Sequence, residues 1–108
     1  MPTTIEAGGA GMTLIITYLC AEEKQAELIA AIDSSVDDLF AKQPGFISSS
    51  VHAGLDRTRV LNYVQWERVE DFDAAGQVPE IQERVAQFMA LVESADPRLY
   101  KVSSVHHV

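Results

Sequence analysis

The chain reads as an α+β fold with the element order β-α-β-β-α-β, and three observations carry this. An apolar, β-branched run, MTLIITYLC from Met12 to Cys20, stands near its start. Two stretches with helical spacing of apolar residues, Glu22 to Lys42 and Pro79 to the Asp96-Pro97 pair, flank two alternating segments that lie between Pro44 and Trp66. A last alternating stretch runs from Leu99 to Val108. This order is a split βαβ arrangement, a ferredoxin-like βαββαβ plait with helices on one face of a four-stranded antiparallel sheet.

Taken in order, residues 1–11 are rich in Gly, Thr and Ala and read as a flexible N-terminal leader, which leaves 12–108 as a single domain. The first strand is apolar on both faces and belongs in the interior of the sheet. In the first helix Leu28, Ile29, Ile32, Val36, Leu39 and Phe40 form one stripe, early glutamates suit the N-terminus, and Gln43-Pro44-Gly45 ends it. The middle strands turn at Leu55-Asp56-Arg57-Thr58. A two-residue Asp56-Arg57 turn pairs Leu55 with Thr58, and so sets Ala53 opposite Val60 and Val51 opposite Asn62.

Side chains alternate along a strand, so Ile47, Ser49, Val51, Ala53, Val60, Asn62, Val64 and Trp66 form the wall that faces the helices. His52 and Leu61 fall on the other face, an assignment that a one-residue bulge would reverse. A short helix from Val69 to Ala75 packs Val69 and Phe72, and Gly76 breaks it. Pro79 opens a longer helix whose stripe is Ile81, Val85, Phe88 and Val92, with Arg84 at its margin.

With 47% hydrophobic and 22% charged residues in 108, one small globular domain is expected. The formal charge of −8 opposes binding to nucleic acid or to anionic membranes. A single cysteine supports no internal disulfide and no Cys/His metal spacing. Nothing resembles a bilayer span or a signal peptide, so a cytoplasmic location is expected. Leu61, Tyr63 and the two-sided first strand leave the second sheet face in need of cover, which a second copy of the chain would supply.

Most polar residues carry ordinary readings. Tyr18, Tyr63 and Tyr100 are strand aromatics. The pairs Glu22-Glu23, Asp37-Asp38 and Glu70-Asp71 diverge around their helices and suit solvated faces. Ser48-Ser49-Ser50 lacks a nucleophile elbow, and His106-His107 alternates faces and cannot clamp a metal. Asn62 is different, because an unpaired amide in an apolar wall costs roughly 1–3 kcal/mol. Taken alone, Asn62 bonded to nearby backbone and Trp66 buried as core would be a sufficient account.

Together with its neighbours, this stretch resembles the antibiotic biosynthesis monooxygenase family of small dimeric α+β barrel proteins. The resemblance rests on Pro44-Gly45-Phe46, on Leu55-Asp56 with Thr58, on Val60, Asn62 and Trp66, and on Glu70 with Phe72. It implies cofactor-independent oxidation by dioxygen of an electron-rich phenol or anthrone-type polyketide to a quinone, with no metal. By the same resemblance Asn62, Trp66 and Arg84 are the catalytic candidates: an amide and an indole N–H for the substrate oxygen, and a cation for phenolate charge. Val51, Val64, Phe72 and Phe88 would contact the substrate.

Phe72 stands where some members carry a tyrosine. Haem-degrading relatives share the fold but ligate iron with a helical histidine, and none lies between Val69 and Val92. A second reading is a non-catalytic dimeric plait that binds a small hydrophobic ligand or acts in stress response. An open apolar cavity reached by Asn62 and Trp66 favours the enzyme.

Overall fold

The computed structural model describes residues 11–108, so the leader expected over 1–11 lies, but for Gly11, outside the described residues. The elements are β1 (Met12–Leu19), α1 (Gln25–Asp38), β2 (Phe46–Ala53), β3 (Arg59–Trp66), α2 (Val69–Gly76), α3 (Pro79–Met89) and β4 (Ser94–Tyr100). Short 3-10 turns, Glu22–Lys24 and Phe40–Lys42, flank α1, so the regular helix is shorter than the apolar stripe suggests. The strands form one antiparallel sheet in the order β2-β3-β1-β4, the ferredoxin-like arrangement.

β1 lies between β3 and β4, in the interior of the sheet. Its register against β3 pairs Met12 with Trp66, Leu14 with Val64, Ile16 with Asn62 and Tyr18 with Val60. Met12, Leu14, Val64 and Trp66 pack with Ala75 of α2 and Ile81 of α3. Tyr18 and Val60 pack with Leu28 and Ile32 of α1 and Phe88 of α3. Burying each such large apolar side chain stabilises the fold by ~1.5–3 kcal/mol. The other sheet face carries half-buried Ile15, Leu61 and Tyr63 and exposed His52, with Thr13 and Gln65 buried.

Four residues, Leu55 to Thr58, lie inside the pair Gly54 and Arg59 that closes the β2–β3 turn, not two. The Gly54 N–H donates to Arg59 O at 2.8 Å, Arg57 N–H donates to Gly54 O at 3.0 Å, and Arg57 takes a left-handed φ of 67°. Thr58 N–H donates to Asp56 Oδ1 at 2.9 Å, and this bond first of all holds the Asp56 carboxyl below its usual range. Because Gly54 closes on Arg59, Ala53 still meets Val60 and Val51 meets Asn62.

Towards the other end of β2 the ladder shifts between Phe46 and Ser48, so that Phe46, not Ile47, stands opposite Trp66. This is a bulge of one residue, and it leaves Ile47 49% exposed instead of on the wall. Gly45, with φ of 82°, makes the preceding turn, and a Cβ there would run into the carboxylate of Asp71. That carboxylate is held by Arg68 Nε and Nη2 at 3.2 and 3.0 Å.

The last helix ends at Met89, earlier than the Asp96-Pro97 stop that its stripe suggests, and Val92 packs from the turn beyond it. Glu93 N–H donates to Leu19 O at 2.7 Å, which starts the final strand at Ser94 instead of Leu99. Pro97 falls inside this strand opposite Ile16. An edge strand tolerates proline because it needs ladder bonds on one side only. Residues 101–108 carry no regular secondary structure.

Candidate active site

Between the sheet and the helices lies a cavity of about 370 Å³. Its floor comes from β1, β3 and, in part, β2 and β4; its roof comes from Ile32, Val36 and Phe40 on the α1 side, Phe72 and Ala75 of α2, and Ile81, Val85 and Phe88 of α3. The lining is almost wholly apolar. Ser49, Asn62, Trp66 and Tyr18 are the lining residues whose side chains carry a polar group, and among the described residues no Asp, Glu, Lys, Arg or His lines it.

Asn62 is 5% exposed on the helix side of β3. Its Oδ1 accepts from the Ser49 hydroxyl at 2.6 Å, a bond made possible because both residues face the same way on paired strands. The amide nitrogen bonds no described group, so its N–H donors remain for a ligand. Trp66 is 1% exposed, and its Nε1 is the buried side-chain nitrogen or oxygen that lacks a partner among the described residues. Such an unpaired N–H costs about 1–3 kcal/mol. The indole is fixed edge-on by Phe46 at 5.4 Å and tilted against Phe72 at 6.1 Å.

Of the residues named above as substrate contacts, Val64, Phe72 and Phe88 line the cavity. Val51 is on the same sheet face but is not among the lining residues; it packs on the cluster beneath α1 with Leu28 and Ile32. Arg84 does not stand at the cavity rim either. Its Nη2 lies 3.0 Å from Asp38 Oδ2 and its Nη1 donates to Ser34 Oγ at 3.5 Å, which ties α3 to α1 on their exposed side. The hydrogen bond that Arg84 Nη2 donates to Asp38 is the foremost reason the Asp38 carboxyl sits below its usual range.

Tyr18 is the polar lining residue that its sequence setting does not single out. It is 3% exposed, its ring stands edge-on to Phe88 at 6.0 Å, and burial pushes its phenol up to about 12. Its even position in β1, shared with Leu14 and Ile16, becomes informative only when the β1–β3 register is known. Phe46 also escaped the sequence pattern, for the bulge described above. Among the described residues no three of His, Cys, Asp and Glu stand close enough to hold a metal. What the arrangement offers a ligand is an apolar slot in which neutral N–H and O–H donors meet a ligand oxygen and favour negative charge on it.

Comparison with known proteins agrees with this geometry. The tetracenomycin-F1 monooxygenase of Streptomyces glaucescens is 37% identical over 70 residues, 65% of this chain; the match spans 62% of that relative, under two thirds of its length. A monooxygenase from the ActVA-Orf6 gene of Streptomyces coelicolor, solved with nanaomycin D, superposes with a TM-score of 0.83 at 22% identity, covering 91% of this chain and 92% of that one. A variant of SnoaB, a cofactor-independent oxygenase from Streptomyces nogalater, gives 0.79 at 18% identity, covering 90% and 97%. The family model described as antibiotic biosynthesis monooxygenase matches residues 11–96, a span that contains Tyr18, Ser49, Asn62 and Trp66. The chain therefore belongs to the antibiotic biosynthesis monooxygenase family.

Proposed function

We propose that the chain is a cofactor-independent monooxygenase that oxidises an electron-rich phenol or anthrone-type polyketide to a quinone with dioxygen. The observation that carries this reading is the apolar cavity into which the Asn62 amide turns N–H donors with no described partner, with the buried Trp66 indole in its wall. The names of the relatives support it: one is a monooxygenase of tetracenomycin F1, and another is a cofactor-independent oxygenase.

Dioxygen is a triplet and reacts slowly with closed-shell molecules, but a phenolate can surrender one electron to it. Recombination puts a peroxide on the substrate carbon, and loss of water leaves a carbonyl. For an anthrone the CH₂ group and O₂ become C=O and H₂O, which balances without a reductant. Donors aimed at the phenolate oxygen stabilise charge where it develops, and the aromatic walls hold the ring and exclude water. Among the described residues no base lines the cavity, so the substrate ionises by its own acidity, and turnover should rise with pH through the substrate's phenol pKa, ~10 for a simple phenol.

The lack of a lining base also keeps the second reading, a plait that binds a hydrophobic ligand without turning it over. Oxygen uptake with a panel of anthrones and hydroquinones, under chelator and with flavin removed, separates the two. Uptake matched by quinone formation is expected; binding without uptake would leave the ligand-binding reading. The same proposal includes a cytoplasmic homodimer packed through the sheet face that carries Leu61 and Tyr63. Light scattering is expected to give twice the chain mass, and a monomer mass at micromolar concentration would reject it.

A further inference from the structure

Three side chains that carry a donor line the cavity from different rows of the sheet. Trp66 and Asn62 sit four residues apart on β3, ~13 Å along the strand. Tyr18 sits one same-face step beyond Ile16, the partner of Asn62, and so ~7 Å further on in the opposite direction from Trp66. Its depth differs as well. The Asn62 side chain is short and is held near the sheet by Ser49, whereas Tyr18 reaches up to α3, where its ring meets Phe88. No described group hydrogen-bonds the Tyr18 oxygen, and it is not sealed from space in the way that Trp66 Nε1 is.

We infer that Tyr18 is a specificity-determining substrate residue, whose hydroxyl bonds an oxygen on a different ring from the one held by Asn62. The ligand class that satisfies both is a fused polycycle with oxygen on both terminal rings; a single phenol ring satisfies one donor at a time. A tyrosine phenol is neutral throughout the physiological range, and burial of Tyr18 raises its pKa further, so it acts as a donor there. The inference rests on the proposed substrate class but not on turnover.

The test uses binding. The chain has one tryptophan, Trp66, and it lines the cavity, so quenching of its fluorescence reports a bound quinone directly. Wild type and Tyr18→Phe are titrated with 1,5-dihydroxyanthraquinone and with 1-hydroxyanthraquinone, which lacks the second terminal oxygen. One neutral hydrogen bond corresponds to roughly a three- to tenfold preference of wild type for the dihydroxy ligand. Tyr18→Phe keeps the ring and its Phe88 contact, so it is expected to lose that preference while binding 1-hydroxyanthraquinone as wild type does.

Equal affinities in wild type overturn the inference without recourse to the variant. So does a variant that weakens both ligands alike or keeps the preference. A protein that shows the Tyr18-dependent preference but takes up no oxygen refutes the oxidation and retains Tyr18. Oxygen uptake with no such preference does the reverse.

Discussion

The Ser49 hydroxyl donates to Asn62 Oδ1 across 2.6 Å, so β2 takes up the acceptor end of the amide and leaves the donor end for the cavity. Removing that bond with Ser49→Ala frees the amide to turn its oxygen toward the substrate. A three- to tenfold fall in kcat is expected, the weight of about one neutral hydrogen bond. Asn62→Ala removes the donor itself and is expected to lower kcat by about 10²–10³, as loss of an oxyanion-type donor does. Steady-state oxygen uptake checks both, and a Ser49→Ala effect as large as that of Asn62→Ala would make the hydroxyl itself the substrate contact.

Trp66 separates activity from stability. Its buried N–H has no described partner, so Trp66→Phe removes an unsatisfied donor while keeping an aromatic between Phe46 and Phe72. Turnover is expected to fall at least tenfold while the melting temperature moves by only a few degrees. Trp66→Ala, by contrast, is expected to cost about 3–5 kcal/mol of stability. Thermal unfolding of the two variants without ligand makes the comparison.

Arg84 is expected to matter little. Its pair with Asp38 is partly solvated, with side-chain exposures of 33% and 54%, and solvent screening leaves such pairs little weight. Arg84→Ala and Asp38→Asn should both leave kcat within about threefold of wild type. A hundredfold loss in Arg84→Ala alone would mean that the guanidinium leaves Asp38 during turnover and meets the substrate.

Tyr18 gives the fold an alkaline limit. Its folded pKa, about 12, lies above the ordinary value of 10, so between these the folded chain holds a proton that the unfolded chain has lost. Stability from this group is full below pH 10 and declines as pH rises towards 12, by about 1.4 kcal/mol per unit. Urea unfolding at pH 9 to 11.5 should show a steeper decline for wild type than for Tyr18→Phe. Parallel slopes would place the alkaline limit in other groups.

Periodicity made the plait legible, because each element keeps one hydrophobic repeat and the breaks fall at Pro44-Gly45, Gly76 and Pro79. It also placed Asn62 and Trp66 on the helix side, since alternation along β3 is regular. The hairpin register survived a wrong turn length because Gly54 and Arg59 close the same ladder. Alternation says nothing of where a long side chain ends, so Arg84 could sit at the stripe's margin and still turn outward to Asp38. It says equally little of which aromatic in a two-sided strand meets empty space, and Tyr18 needed the tertiary register to be seen.

Ile47 is the one position in β2 that the ladder does not count, for Phe46 and Ser48 already meet Trp66 and Gln65 in succession. A chain shortened by this residue would present the same wall, with Phe46 against the indole and Ser49 against the amide, on a straighter and less twisted strand. Deleting one residue between Ser49 and Ala53, or in β3 between Arg59 and Asn62, would instead reverse the facing of everything beyond it and set the Asn62–Ser49 pair on opposite sides. Length can therefore vary harmlessly at one point of the hairpin, and descendants of this sequence that lose or regain a residue there would keep the same cavity wall.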